Sequence, residues 1–477
     1  MYKRQHPITI LLELKLSNLY PIIFLAIFSG DMGIFRFLLP LGFFVIALIF
    51  VAVSWYFKVY WVENNILHIK QGIFTKKESY LNKERVQTIQ TSSNIFYQLL
   101  GLTRLKIETA GGGSEPEVNL AGIRVEEAKE LIALLNEDVS EAEQMDEALA
   151  ETTTKEEKPS TVYKLTWNEI LLASVTSGEI GLLFSLLFVV WSQVNDYIPN
   201  WIIEKAESYI MGHDIYGWML IGGVLLVLSW ILSTIRYAMK HANFTVYRKN
   251  DEIRIAQGLY EKKEIALKLH RIQGITIKEG LFRQPFGYCT VNVEVIQSVG
   301  EEGGQEKVVL HPLIQKDRVG ELLSYLELPY AVPEQLTALP KTALRRYIIE
   351  SMIYFGILAV PVAGALVYFE KYMFTFALLP LLLLFIAIGY AQYRAAGYKV
   401  NGDQLAIIYR NIAKYTGLVR RRHIQSLEKQ QSYFQRKDQL CTYTFYSAAS
   451  HYKLEHTRLE DAENMYNWYK NKEITLS

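Results

Sequence analysis

Arginine, glutamine and isoleucine recur at alternate positions twice in this chain, as Arg85, Gln87 and Ile89 and again as Arg271, Gln273 and Ile275. Side chains two apart on a strand share a face, so the spacing predicts a guanidinium and a carboxamide in one row. Such a row can bind a phosphate or carboxylate. It can equally satisfy backbone groups at a bend and a carboxylate of the fold itself. The scaffold reading is preferred, because duplication preserves folding residues as readily as ligand-binding ones. Cations also cluster, at Lys76 and Lys77, at Lys262 and Lys263, and at Arg420, Arg421 and Arg422 beside His423. Next to a bilayer, each would contribute about 1 kcal/mol of attraction to anionic headgroups. The competing reading of the first two is a solvated hairpin tip, since Glu78 and Glu264 follow the lysine pairs directly.

Other chemistries find little support. The two cysteines, Cys289 and Cys441, cannot build a disulfide framework or a cysteine-ligated zinc or iron-sulfur site, and are expected as buried strand residues. His451 and His456, five apart, would face opposite sides of a strand, so no metal is expected. GlyGlyGly at 111–113 lacks the lysine and hydroxyl of a phosphate-binding loop. No nucleophile elbow, HExxH or dinucleotide fingerprint is present, so neither an enzyme nor a cofactor is expected. Lys and Arg number 50 against 49 Asp and Glu, which gives no global charge for nucleic acid.

Stepping out from these residues, the chain of 477 residues is repetitive. A shift of 186 aligns Gln71–Gly101 with Gln257–Gly287 without a gap, with twelve of thirty-one positions identical. These include the Gln-Gly pair, Lys-Lys-Glu, Arg-x-Gln-x-Ile and the Phe-x-Gln-x-x-Gly of Phe96 to Gly101 and Phe282 to Gly287. A further shift of 152 adds a divergent third copy, with Ile424, Gln425, Leu427 and Phe434 retained, His423 at the arginine and Gln439 at the glycine position. Strand-like alternation appears at 245–248, 252–256, 289–295 and 442–446, and amphipathic helices at 124–135, 316–326 and 458–469. Each copy therefore reads as a strand-rich sheet closed by one helix. The two glycines are expected to serve turns of positive φ, and Phe96, Phe282 and Phe434 to be core or membrane-facing anchors.

Between the copies lie apolar runs. Phe37–Phe57, Ile215–Ile235 and Tyr372–Tyr393 are each long enough to cross a bilayer as a helix. Leu16–Gly30, Ile180–Asn195 and Ser351–Phe369 are weaker partners. Lys and Arg collect at the outer ends of the three pairs, which predicts hairpins entered and left from the cytoplasm. No cleavable leader is expected, since Glu13 and Lys15 interrupt the first apolar stretch. Glu179 and Glu350 sit near helix starts and are the only charges a transport pathway would have to use. The expected organisation is a first hairpin at 1–57, modules at 58–136, 237–328 and 394–477, and hairpins at 161–236 and 346–393. An acidic disordered linker at 137–160 and a junction at 329–345 complete it.

This order, with its Gln-Gly, Arg-x-Gln-x-Ile and Phe-x-Gln-x-x-Gly motifs, resembles the bacterial PH-like domain family (bPH2) in its YdbT-like membrane form. The resemblance covers nearly the whole chain. It implies an α+β membrane protein, with six transmembrane helices in three hairpins, each followed by a bent β-barrel of the pleckstrin-homology type with a carboxy-terminal helix. It implies a multi-pass bacterial plasma-membrane protein with modules and both termini in the cytoplasm. The expected role is a non-enzymatic platform for proteins or anionic lipid, in a complex with a smaller single-module PH-like membrane protein or as a homo-oligomer. A transporter or lipid-handling protein regulated by its modules is the alternative.

Overall fold

The computed structural model describes residues 2–12, 35–63, 66–73, 76–81, 86–109, 118–135, 163–177, 214–295, 308–368, 370 and 372–470. Their polar part is made of short antiparallel strands whose buried and open positions alternate, as at Glu252–Gln257, where Ile253 and Ile255 point inward. Four sheets result, in strict sequence order. The first holds β1 (Lys3–Arg4), β2 (Val59–Glu63), β3 (Ile66–Gln71) and β4 (Lys77–Leu81). The second joins β5 (Val86–Asn94), β6 (Leu102–Thr109) and β7 (Val118–Arg124) to β8 (Tyr163–Lys164), β9 (Thr245–Lys249), β10 (Glu252–Gln257) and β11 (Glu261–Lys268). Its order is β7-β6-β5-β11-β10-β9-β8.

The third repeats that plan with β12 (Ile272–Glu279), β13 (Tyr288–Val295), β14 (Val308–Gln315), β15 (Thr337–Ala338), β16 (Gly397–Asn401), β17 (Gln404–Arg410) and β18 (Lys414–Arg420). Its order is β14-β13-β12-β18-β17-β16-β15. The last is β19 (Ile424–Gln430), β20 (Leu440–Ser447) and β21 (His451–Arg458), in the order of the chain. A module is thus two sheets rather than one, and the second sheet of one copy is continuous with the first sheet of the next. Periodicity marks the strands but carries no information about which copy an edge will join, so the sequence alone suggested self-contained sheets.

Two compact units divide the chain, one comprising residues 1–164, 243–268 and 297–306, the other the remainder. In the first, Tyr60, Leu67, Ile69 and Leu81 of the first sheet pack with Ile89, Leu105, Ile107 and Leu120 of the second. Ala128, Leu131 and Leu135 from one face of a helix, Val125–Leu135, close that core. In the other unit, the last module is built alike. Leu405, Ile407 and Val419 meet Tyr443, Phe445 and Leu454, with Ala462 and Met465 of the helix Leu459–Lys470. A shorter helix, Val319–Tyr325, follows β14.

Among the described residues, three helical stretches are long and apolar enough to cross a membrane: Gly222–His241, Lys341–Tyr368 and Thr375–Ala395. Leu41–Phe57 is a shorter apolar stretch of the helix Phe35–Phe57. The expected segments Leu16–Gly30 and Ile180–Asn195 lie outside the described residues, as do Glu179 and the linker 137–160. The run expected as Ser351–Phe369 is the larger part of the helix Lys341–Tyr368, which begins ten residues before it. That helix packs tightly on Leu378–Ala395. A Cβ on Gly389 would lie 2.9 Å from the Tyr347 carbonyl oxygen, and Ser351 Oγ donates to the Phe385 carbonyl at 2.6 Å. Small residues at such a crossing let the two backbones approach.

Candidate functional site

The repeated Arg-x-Gln-x-Ile is not a flat row. The strand registers slip at Val86/Thr88, Ile272/Gly274 and Ile424/Ser426, so the glutamines Gln87, Gln273 and Gln425 all sit at a β-bulge. A bulge adds a residue and breaks the two-residue alternation. Arg271 precedes β12 in the short turn Leu269–Arg271 and is half-buried. Arg85, like the GlyGlyGly at 111–113, lies outside the described residues, and only the backbone of Gln87 is described. At the second bulge, the Gln273 carbonyl faces His423 Nδ1 at 3.0 Å. A carbonyl can only accept, so Nδ1 carries the proton.

Phe-x-Gln-x-x-Gly also serves the fold. Gln98 Nε2 donates to the Ser93 carbonyl at 2.8 Å, and Gln284 Nε2 donates to the equivalent Glu279 carbonyl at 2.9 Å. Gly101 and Gly287 have φ of 64° and 68°, and Gln439 keeps the same left-handed backbone at 54°. Their carbonyls accept from the amides of Val125, Lys316 and Leu459, where each terminal helical segment starts. Cys289 and Cys441 are buried and free, and burial pushes the Cys289 thiol up to about 12.

The basic clusters separate into different settings. Lys76 and Lys77 are exposed at the start of β4, the terminal strand of its sheet. Lys262 and Lys263 are the same residues in the second copy, but there β11 is paired, with Lys262 opposite Ser93 and Lys263 opposite Ser92. Both line a cleft of about 370 Å³, together with Thr91, Lys129, Gly258 and Glu264. Three ammonium groups and one carboxylate therefore stand in its lining. Arg420 and Arg421 are held by Asp403 at 3.0 and 3.4 Å. Arg421 also donates to the Trp468 carbonyl at 3.2 Å, and Arg422 is exposed with its Nε 3.0 Å from His423 Nε2.

One feature escaped the sequence reading, and a second was read only in part. Arg283, only 4% exposed, donates to the carbonyls of Ala173 at 2.8 Å and Pro312 at 2.7 Å, and to the hydroxyls of Thr176, Tyr237 and Thr290. It ties the strands of its module to the helices Trp167–Val175 and Asp214–His241. Arg346 does the same work in the last module, bound to Asp438 and, at 2.8 Å, to the Phe434 carbonyl. The signal for Arg283 was its place inside the repeated Phe-x-Gln, where the other copies have Tyr97 and Gln435.

The second feature is a set of apolar tips. After the first strand of each second sheet comes an exposed group: Ile95, Phe96, Leu99 and Leu100, then Leu281, Phe282 and Phe286, then Tyr433 and Phe434. Phe96, Phe282 and Phe434 are 54%, 53% and 62% exposed, so of the two expected roles, core and membrane-facing anchor, they do not fill the core.

A sequence model described as "Bacterial PH domain" matches this chain three times, at residues 14–139, 184–328 and 353–473. The chain is also 31% identical over 490 residues to the "UPF0699 transmembrane protein YdbT" of Bacillus subtilis (strain 168), covering 98% of each. No solved structure matches it significantly.

Proposed function

Because this chain belongs to the bacterial PH domain family, with three copies of the module in one membrane polypeptide, we propose that it is a non-enzymatic platform of the bacterial plasma membrane. Its modules dock proteins, and anionic lipid headgroups where cations are free. The partner class is a smaller single-module PH-like membrane protein or a further copy of the chain. Six helices in three hairpins carry the modules, which share the cytoplasm with both termini.

The observation that carries this reading is the strand pairing between copies. β5 of the first module bonds to β11 of the second, and β12 of the second to β18 of the third. Strands can share a ladder only on one side of a bilayer, which supports an even number of crossings between successive modules. The exposed apolar tips support a position against the membrane, since contiguous apolar surface in such a place is otherwise costly. Among the candidate cations, Lys76, Lys77, Lys262 and Arg422 are the exposed ones. Arg420 and Arg421 share the single carboxylate of Asp403. Transport has less support: Glu350 is 3.1 Å from His456 Nε2 of the last module rather than facing a pathway.

Crosslinking in native membranes followed by purification of the full chain tests the platform. A defined protein retained in stoichiometric amount is the expected result. A chain recovered alone and monomeric would contradict it.

A further inference from the structure

The two internal junctions are the same junction. Leu267 stands opposite Thr88, and Val419 stands opposite Gly274. These positions are equivalent under the shifts of 186 and 152 that relate the copies. The match extends along the ladder, with Ala266 opposite Ile89 and Leu418 opposite Ile275. One copy offers the last strand of its first sheet and its neighbour the first strand of its second. Three copies in a row therefore leave one strand of each kind unused. These are β4 and β19, each terminal in its sheet among the described residues.

We infer that β19 accepts β4 of a second copy of this chain, so that the molecule assembles head to tail through a third junction of the same kind. This rests on the platform reading above and specifies its partner surface. Carrying the internal register over sets Leu81 opposite Ser426, Tyr80 opposite Leu427, Glu78 opposite Lys429 and Lys77 opposite Gln430. An apolar pair thus falls where both internal junctions have one, and a carboxylate meets an ammonium. Tyr80 is 63% exposed, whereas its counterpart Ala266 lies in a ladder.

Charges at a sheet edge commonly guard it against pairing. Here the guard is no obstacle, because the same Lys-Lys-Glu is paired to β5 in the second copy. The recess beside that junction also recurs, half-built, beside β19. Thr91, Ala128, Lys129 and Ile132 line the first cleft, and Lys429, Ala462, Glu463 and Tyr466 a recess of about 300 Å³. What the second recess lacks is the wall that β10 and β11 supply to the first. Head-to-tail contacts of this type close into rings or run on as rows.

Disulfide trapping tests the junction in the full-length chain, with Cys289 and Cys441 changed to alanine. Two differently tagged copies, one carrying Tyr80→Cys and the other Leu427→Cys, are expressed together and oxidised in native membranes. A product containing both tags is expected, at least ten times more abundant than with Ser79→Cys in place of Tyr80→Cys. In the Tyr80→Cys and Leu427→Cys pair, adding Glu78→Lys should cut the yield severalfold, and adding Lys429→Glu on the other copy should restore it. No product, or, in a chain given both Tyr80→Cys and Leu427→Cys, a disulfide closed only within that chain, overturns the inference. So does trapping of Leu427→Cys to a different protein, which would leave the platform reading standing.

Discussion

At the scale of single residues, the glutamine and glycine of the repeated Phe-x-Gln-x-x-Gly bond within the fold, and the departures from it predict stability. Gln439 adopts φ of 54° where its relatives in the chain are glycine. A side chain there is strained, so Gln439→Gly should stabilise the last module by about 1 kcal/mol, read from a melt in detergent. Arg283→Met removes the donors to two buried carbonyls and should cost about 3 kcal/mol, visible as early proteolysis of the second module.

His311 adds a pH dependence. Burial lowers its folded value to about 4, below that of the unfolded chain. Its contribution is therefore complete above about pH 6.5 and is lost as pH falls towards 4, an effect on the order of 2–3 kcal/mol. His311→Gln should flatten melting temperature against pH across that window; an unchanged slope would contradict the assignment. The types of Arg271, Gln273 and Gln98 were legible in the sequence. Their roles were not, because a bulge re-aims a strand without altering its composition.

At the scale of elements, strands at 245–248, 252–256, 289–295 and 442–446 and the three terminal helices were readable from period alone, and all are present. What alternation cannot encode is the neighbour of an edge strand, which depends on the complementarity of two distant copies. The apolar tips were visible only as repeated phenylalanines, and a phenylalanine in a sequence does not say whether it is covered. Their exposure predicts contact with lipid: a photoactivatable phenylalanine at 96, 282 or 434 in native membranes should capture lipid. Capture of protein alone at all three positions would contradict a membrane-facing role. Within the third helical pair, Gly389→Val would press a side chain on the Tyr347 carbonyl and should loosen the packing of Lys341–Tyr368 on Leu378–Ala395. A lower melting temperature in detergent is the expected signature.

At the scale of the whole molecule, composition and repetition established a membrane polypeptide with three like modules, and strand pairing now adds a constraint on its path. Ladders β5–β11 and β12–β18 cannot form unless all three modules occupy one compartment. Charge at the helix ends predicts the cytoplasm as that compartment. The most direct measurement is labelling of the full-length chain in intact cells with a membrane-impermeant thiol reagent. Single cysteines replace Ala150, Glu334 and Ser477, with Cys289 and Cys441 changed to alanine. All three should stay unlabelled until the membrane is opened, and then label together. A position that reacts from outside while the others do not would contradict the account.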